Sequence, residues 1–227
     1  MLVARGVERL RALAEEVGEA EIEPCDVADR DAVERMAAAV RERHPAVHLL
    51  ANSAGVPGRA GFTTIEPERL EQVLRTNYLG SVWCLRALLP ALETAGRADV
   101  VNIVSVAGTV AFAPSGPYSA SKHAQLAFSR SVTAELRPRG IHVHTINPGF
   151  VETEGFPQRT ALSSPVFRRL VIEPEDVAKA VLGAVDRDRR EIFIPRLFRI
   201  AAIAQALTPA LVGRFSSRSA YRPTIGT

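Results

Sequence analysis

The sequence predicts an α/β domain built around a parallel sheet. Three observations predict it. Short runs of apolar and β-branched residues alternate along the chain with amphipathic helical stretches. Three of those runs end on a polar residue, at Asn52, Ser105 and Asn147, and in sheets of this kind ligands sit beyond the carboxyl ends of the strands. The 227 residues, 47 % of them hydrophobic, suffice to bury one sizeable core.

Met1 to Ala4 reads as the end of a strand. From Arg5 to Val17 the residues Val7, Leu10, Leu13, Ala14 and Val17 recur at helical spacing, and Gly18 closes the helix. Ile22 stands between glutamates with Pro24 behind it, which restricts that segment to a sheet edge. Asp26 to Asp29 leads into an amphipathic helix over Asp31 to Arg43, stopped before Pro45. Val47 to Ala51 is an apolar strand that runs into Asn52-Ser53-Ala54-Gly55. From Glu66 to Leu92 the pattern predicts one long helix, with Asn77 in the middle of its buried face. A strand then ends at Ser105, a helix covers Tyr118 to Leu136, and a strand from Ile141 to Ile146 ends in Asn147-Pro148-Gly149. Residues 150–172, rich in Phe and Arg, are long enough for a lid or binding loop. Pro174 with Glu175 and Asp176 opens a further helix, and Glu191 to Ile194 is a last short strand.

The formal net charge is +3 with no basic tract, so nucleic acid is not indicated as a partner. Cys25 and Cys84 form neither a CxxC pair nor a disulfide framework, which suits a reducing compartment. No charged leader with an apolar core opens the chain, and no uninterrupted apolar run reaches the ~18 residues of a membrane span. The expected address is cytoplasmic, and no metal site is expected.

The chemistry is concentrated between residues 100 and 122. Ser105 ends the run Val100, Val101, Ile103, Val104, while Tyr118 and Lys122 stack on one face if a helix begins near Gly116-Pro117. With three Tyr and two Lys in the chain, chance produces a Tyr-x-x-x-Lys only about 0.03 times. Of the 28 basic residues 26 are Arg, so a Lys here departs from the chain's habit. A compact ammonium is not interchangeable with a planar guanidinium where it must hold a phenolate and a ribose hydroxyl. A strand-end hydroxyl, a phenol and an ammonium meeting at the mouth of a sheet can do acid-base work on an alcohol or a carbonyl. The plainer alternative is a surface Lys on a helix that buries a Tyr.

With Asn52-Ser53-Ala54-Gly55, Asn77, Ser105, Tyr118-x-x-x-Lys122 and Pro148-Gly149 in this order on alternating elements, the chain resembles the short-chain dehydrogenase/reductase family from Met1 to about Pro195. The resemblance implies a Rossmann-like, doubly wound parallel sheet and an oxidoreductase that interconverts a secondary alcohol and a carbonyl, with a nicotinamide dinucleotide as hydride carrier. It implies that Tyr118 is the general acid in reduction and the base in oxidation and also touches the cofactor, and that Lys122 favours the phenolate and holds the nicotinamide ribose. Ser105 is implied to hydrogen-bond the substrate oxygen where negative charge grows, and Asn77 to open the long helix and hold a water feeding protons to Lys122. For the cofactor it implies Asn52, Ala54 and Gly55 along the central sheet and adenine side, and Asp26 and Val27 against adenine. Pro148, Gly149, Val151 and Thr153 are implied to grip the nicotinamide carboxamide. Arg5 falls where the family reads the adenosine ribose, and a cation there favours a 2′-phosphate, so NADP(H) is preferred over NAD(H). A dimer or tetramer through the long helices is implied in the same way.

The family begins with a strand, a glycine-rich turn and a helix ahead of the point where this chain starts. The early glycines Gly6 and Gly18 read as remote from any strand-turn-helix that could cradle a pyrophosphate. The expectation is therefore an N-terminally truncated sheet with its first strand and helix missing, two unpaired strand edges, and Met1 inside the second strand of a longer reading frame. Weak dinucleotide binding by the 227 residues alone is expected, the alternative function being a catalytically silent scaffold or a membrane-docked protein. The chain divides into 1–195, the catalytic domain, and 196–227, a C-terminal apolar and basic helix with a tail. Leu197 to Gly213 carries only Arg199 as a charge and is followed by Arg214, Arg218 and Arg222, which suits a membrane-surface contact through 197–213, a lid or a subunit contact. Phe150, Phe156, Leu162, Phe167 and Leu170 either face an apolar substrate or pack on their own domain.

Overall fold

Among the described residues, six parallel strands form two sheets. Strands β1 (Leu2–Ala4) and β2 (Ile22–Pro24) pair with each other, and β3 (Leu49–Asn52), β4 (Ala98–Ile103), β5 (Ile141–Pro148) and β6 (Glu191–Ile194) follow one another in the second sheet. The computed structural model describes all residues except 19, 59, 62, 112–114, 163 and 217–227. Arg218 and Arg222 therefore lie outside the described residues.

Strand side chains alternate between faces, and here each face has its own cover. Val100 and Val143 pack with Leu85 and Leu92 of α4 (Gly80–Thr94) and with Leu136 of α5 (Gly116–Leu136). Val101 and Ile146 turn the other way, against Ala184, Val177 and Val181 of α8 (Pro174–Asp186). Helices on both faces are what an all-parallel sheet requires, and the sheet is doubly wound. Helix α8 is opened by a reciprocal cap between Glu173 and Asp176.

The smaller sheet is attached through helices. Helix α1 (Val7–Val17) follows β1 directly, with Gly6 as its N-cap. Helix α2 (Arg30–Arg43), capped by Asp29, packs Val33, Met36, Ala37 and Val40 against Cys84, Ala87 and Leu88 of α4. Among the described residues, β1 and β3 each have one unpaired edge, and Leu49 on β3 is 51 % exposed.

The expected single helix from Glu66 to Leu92 is interrupted. It consists of α3 (Pro67–Leu74), a π turn over Arg75–Leu79, and α4. The turn carries Asn77, whose carboxamide is engaged with the loop after β3, and π turns of this kind are how a helix accommodates such a side chain without ending. The described residues of 150–172 include the one-turn helices α6 (Gln158–Ala161) and α7 (Pro165–Arg168). Beyond β6 lie α9 (Phe198–Leu207) and α10 (Pro209–Ser216), divided at Pro209, which occupies the first turn of α10.

Candidate active site

A cavity of about 610 Å³ opens at the carboxyl ends of β3, β4 and β5, and Ser105, Tyr118 and Lys122 all line it. Tyr118 stands on the first turn of α5 and Lys122 one turn later, so the four-residue spacing puts both on the face turned to the strand ends. Helix α5 reaches that position because Gly108 lets the turn after β4 lie against it. A Cβ at residue 108 would stand 2.7 Å from the Lys122 carbonyl oxygen.

Lys122 is 4 % exposed. Its ammonium donates to the Ile103 carbonyl at 2.9 Å and to Gln125 Oε1 at 2.7 Å, and lies 5.9 Å from the centre of the Tyr118 ring. Neither acceptor is charged, and no other charged residue lines the cavity among the described residues. Burial without a counter-charge pushes the Lys122 pKa down to about 7. Ser105 is buried at the strand exit, where Oγ accepts the Ala107 N–H at 3.1 Å and faces the Pro148 carbonyl at 3.5 Å.

The segment after β5 closes the other side. The Phe156 ring tilts against Tyr118 with centroids 5.8 Å apart, and Phe150 lies between Phe167 and Phe198. Of the five apolar residues expected either to face a substrate or to pack on their own domain, Phe150 and Phe156 line the cavity, while Leu162 is fully buried elsewhere in the packing. Gly149 brings α9 into the wall, since a Cβ there would meet the Phe198 ring at 2.2 Å.

Asn77 sits behind this wall, fully buried. Oδ1 accepts the Val56 N–H at 2.7 Å, and Nδ2 donates to the Val56 carbonyl at 3.0 Å and to Ser121 Oγ at 3.1 Å. Ser121 Oγ in turn donates to the Tyr118 carbonyl at 2.7 Å. The side chain expected to hold a water thus uses both amide hydrogens on protein groups. Asn52 is engaged in the sheet: it donates to Asn102 Oδ1 at 2.9 Å, Asn102 donates to Ser129 Oγ at 2.9 Å, and Ser129 shares a hydrogen with Thr145 at 2.7 Å. That buried chain locks β3, β4, α5 and β5 into one register.

The structure brings Gly55, Ser105, Tyr118, Lys122, Pro148, Gly149, Val151 and Thr153 to one cavity. Arg5, Asp26, Val27 and Ala54 stand outside its lining. Arg5 and Asp26 lie 3.8 Å apart on the surface beyond β1 and β2, and Val27 packs against Gly80. One expectation needs correcting. Gly6 is not remote from a strand-turn-helix, because it caps α1 immediately after β1. Sequence reasoning also passes over Gln125 and Phe198. Gln125 has a usable signal, since it lies three residues beyond Lys122 on the same helix, whereas Phe198 has none.

A family model described as short chain dehydrogenase matches residues 1–161. The chain belongs to the short-chain dehydrogenase family. It is 30 % identical over 248 residues to a dehydrogenase/reductase SDR family member 7B from Danio rerio, a match covering 99 % of this chain and 78 % of that protein. It is 35 % identical over 173 residues to a 1-deoxy-11-beta-hydroxypentalenate dehydrogenase from Streptomyces exfoliatus, covering 74 % of this chain and 62 % of the other. Among solved structures, a metagenomic short-chain oxidoreductase in complex with NADP superposes with a TM-score of 0.71 at 30 % identity, over 85 % of this chain and 83 % of that one. Family and relatives together make this dehydrogenase-family chain an NAD(P)-dependent oxidoreductase with a small-molecule substrate, and they do not favour a silent scaffold. Among the described residues Lys122 is the single cation lining the cavity, and Gly55 and Gly149 stand in its wall, a donor set that suits the nicotinamide end of such a cofactor. No helix among the described residues is long and apolar enough to cross a membrane.

Proposed function

We propose that this oxidoreductase interconverts an apolar secondary alcohol and its carbonyl, with Tyr118 exchanging the proton, Lys122 supplying the charge beside it and Ser105 holding the reacting oxygen. The observation that carries the reading is that these three side chains share one cavity whose walls are mostly apolar and, among the described residues, otherwise uncharged, from Val177 and Val181 on α8 to Phe150 and Phe156. In reduction the Tyr118 hydroxyl gives its proton to the carbonyl oxygen, and in oxidation the phenolate takes it back. A free phenol titrates near ~10, and an ammonium close by favours the phenolate. The Ser105 hydroxyl donates to the same oxygen as negative charge develops on it.

The dinucleotide, when bound, supplies or accepts the hydride. Lys122, Gly55, Pro148, Gly149, Val151 and Thr153 would hold its nicotinamide half, and Asn52 would keep the strand ends in place beneath it. Asn77 would fix the Val56 backbone beside α5, where a water between that backbone and Lys122 would pass protons. Asp26, Val27 and Ala54 would border the adenosine half. NADP(H) is favoured by Arg5, which is exposed next to the first turn of α1, whose N-cap Gly6 offers no side-chain acceptor, a place suited to a 2′-phosphate.

The division at residue 195 separates the chemistry from a C-terminal segment that works as a wall and a contact face. Residues 196–227 contain no Asp or Glu, and Ile200, Ile203, Leu207 and Leu211 are exposed along α9 and α10, which supports a contact with an anionic membrane surface. The reading keeps the protein cytoplasmic and pairs α3–α4 and α5 in a homo-oligomer. Flotation with anionic vesicles, compared with neutral ones, tests the membrane contact. The test of the reaction is NADPH oxidation with a series of ketones of increasing apolar size. Turnover should rise with apolar size until the cavity is filled, and a preference for polar, charged ketones overturns the reading.

A further inference from the structure

Gln125 is fully buried on α5, one turn beyond Lys122. Its Oε1 accepts from the Lys122 ammonium at 2.7 Å and its Nε2 donates to Ser81 Oγ on α4 at 2.9 Å. An ammonium can only donate, so the oxygen of the carboxamide must face Lys122 and the amide must face Ser81. The long side chain is thereby held at both ends. We propose that Gln125 is a positioning residue: it seats the Lys122 ammonium on the cavity floor against a neutral acceptor, so that no carboxylate offsets the charge felt by Tyr118 and the cofactor.

The choice of an amide is what gives this role its content. A glutamate would have nearly the same shape and would bind the ammonium more strongly, yet it would cancel the charge that Tyr118 feels. Among the described residues no other group does so. β4 presents the Ile103 carbonyl and α4 presents Ser81, neither of which titrates, and Tyr118 on α5 is the only other titratable side chain lining the cavity among the described residues. The depressed pKa of Lys122 agrees with a buried ammonium that has polar partners but no counter-ion. A mere strut between α4 and α5 would be indifferent to the charge at position 125.

The inference rests on the proposed roles of Tyr118 and Lys122, but its test does not need turnover. The chain contains only two lysines, Lys122 and Lys179, and Lys179 is exposed on α8. Lysine labelled with carbon-13 at Cε therefore gives two resonances, assigned by Lys179→Arg, whose pH titrations are followed separately. Gln125→Glu is expected to move the Lys122 midpoint up by about one pH unit or more, and Gln125→Met to move it down, with Lys179 unmoved in both. In an assay of alcohol oxidation the pH at which the rate rises should move upward in Gln125→Glu. A Lys122 midpoint that stays put in both variants overturns the proposal, and if Gln125→Glu fails to fold, Gln125→Met alone decides it. Activity surviving in Tyr118→Phe would defeat the catalytic reading and leave the Gln125–Lys122 coupling to stand or fall by its own titration.

Discussion

Asn77 grips Val56 at both of its backbone polar groups, accepting the N–H at 2.7 Å and donating to the carbonyl at 3.0 Å. Removing the carboxamide strands both groups beside Ser121 in a half-buried place, and each unsatisfied group, were it fully buried, would cost about 1–3 kcal/mol. Asn77→Ala should therefore lower the melting temperature by roughly 5–10 °C at this chain length. Thermal unfolding followed by circular dichroism checks this, and an unchanged midpoint would show that the grip is incidental.

Lys122 makes stability depend on pH in a defined window. Its folded pKa, about 7, is below the ordinary 10.5, so between those values the unfolded chain binds more protons than the folded one. Stability must then rise with pH across that window, and the cost of burying the charge is fully present below about 7. Each tenfold loss of proton affinity on folding is worth about 1.4 kcal/mol, so Lys122→Met should gain on the wild type by a few kcal/mol at pH ~6 and lose that advantage by pH ~10. Urea unfolding of both proteins at the two pH values measures the difference.

How much of this is readable from residues alone follows from how far apart the partners are in the chain. Tyr118 and Lys122 are one helical turn apart and Ser105 ends a strand, so periodicity exposes all three. The parallel sheet is readable for the same reason, since Val100, Val101, Ile103 and Ile146 carry their own alternation. The π turn is not, because what stabilises it is the meeting of Asn77 with Val56 across 21 residues. Gln125 and Ser81 are 44 residues apart, and their contact exists only once α4 and α5 pack. The wall made by Phe198 against Gly149 depends on α9 folding back over the end of β5, which no local pattern announces. The place of Gly6 is hard to read because β1 is only three residues long and its helix follows after two more.

Gly149 and Phe198 should behave as one unit. The methyl of Gly149→Ala would press into the Phe198 ring at 2.2 Å, so α9 must shift. Overpacking of this kind costs about 1–3 kcal/mol. Adding Phe198→Ala should recover a large part of that loss, leaving a coupling of similar size in a double-mutant cycle read by urea unfolding.

Arg5 sets the choice of dinucleotide in this account. Arg5→Glu replaces a partner for a 2′-phosphate with an acceptor for a 2′-hydroxyl, and should move the ratio of NADPH to NADH dissociation constants by about tenfold or more toward NADH. Titration of cofactor fluorescence with each dinucleotide measures the ratio. A ratio equal to that of the wild type assigns the discrimination elsewhere.

Tyr118, beside the Lys122 ammonium and facing the same cavity as Ser105, moves the proton in the proposed hydride-transfer reaction. The most direct measurement is kcat/KM of Tyr118→Phe for NADPH-linked reduction of an apolar ketone, with the NADPH dissociation constant determined on the same protein. A fall of about 10²–10⁴-fold in kcat/KM is expected, with cofactor binding essentially unchanged. Turnover within a few-fold of the wild type would contradict it.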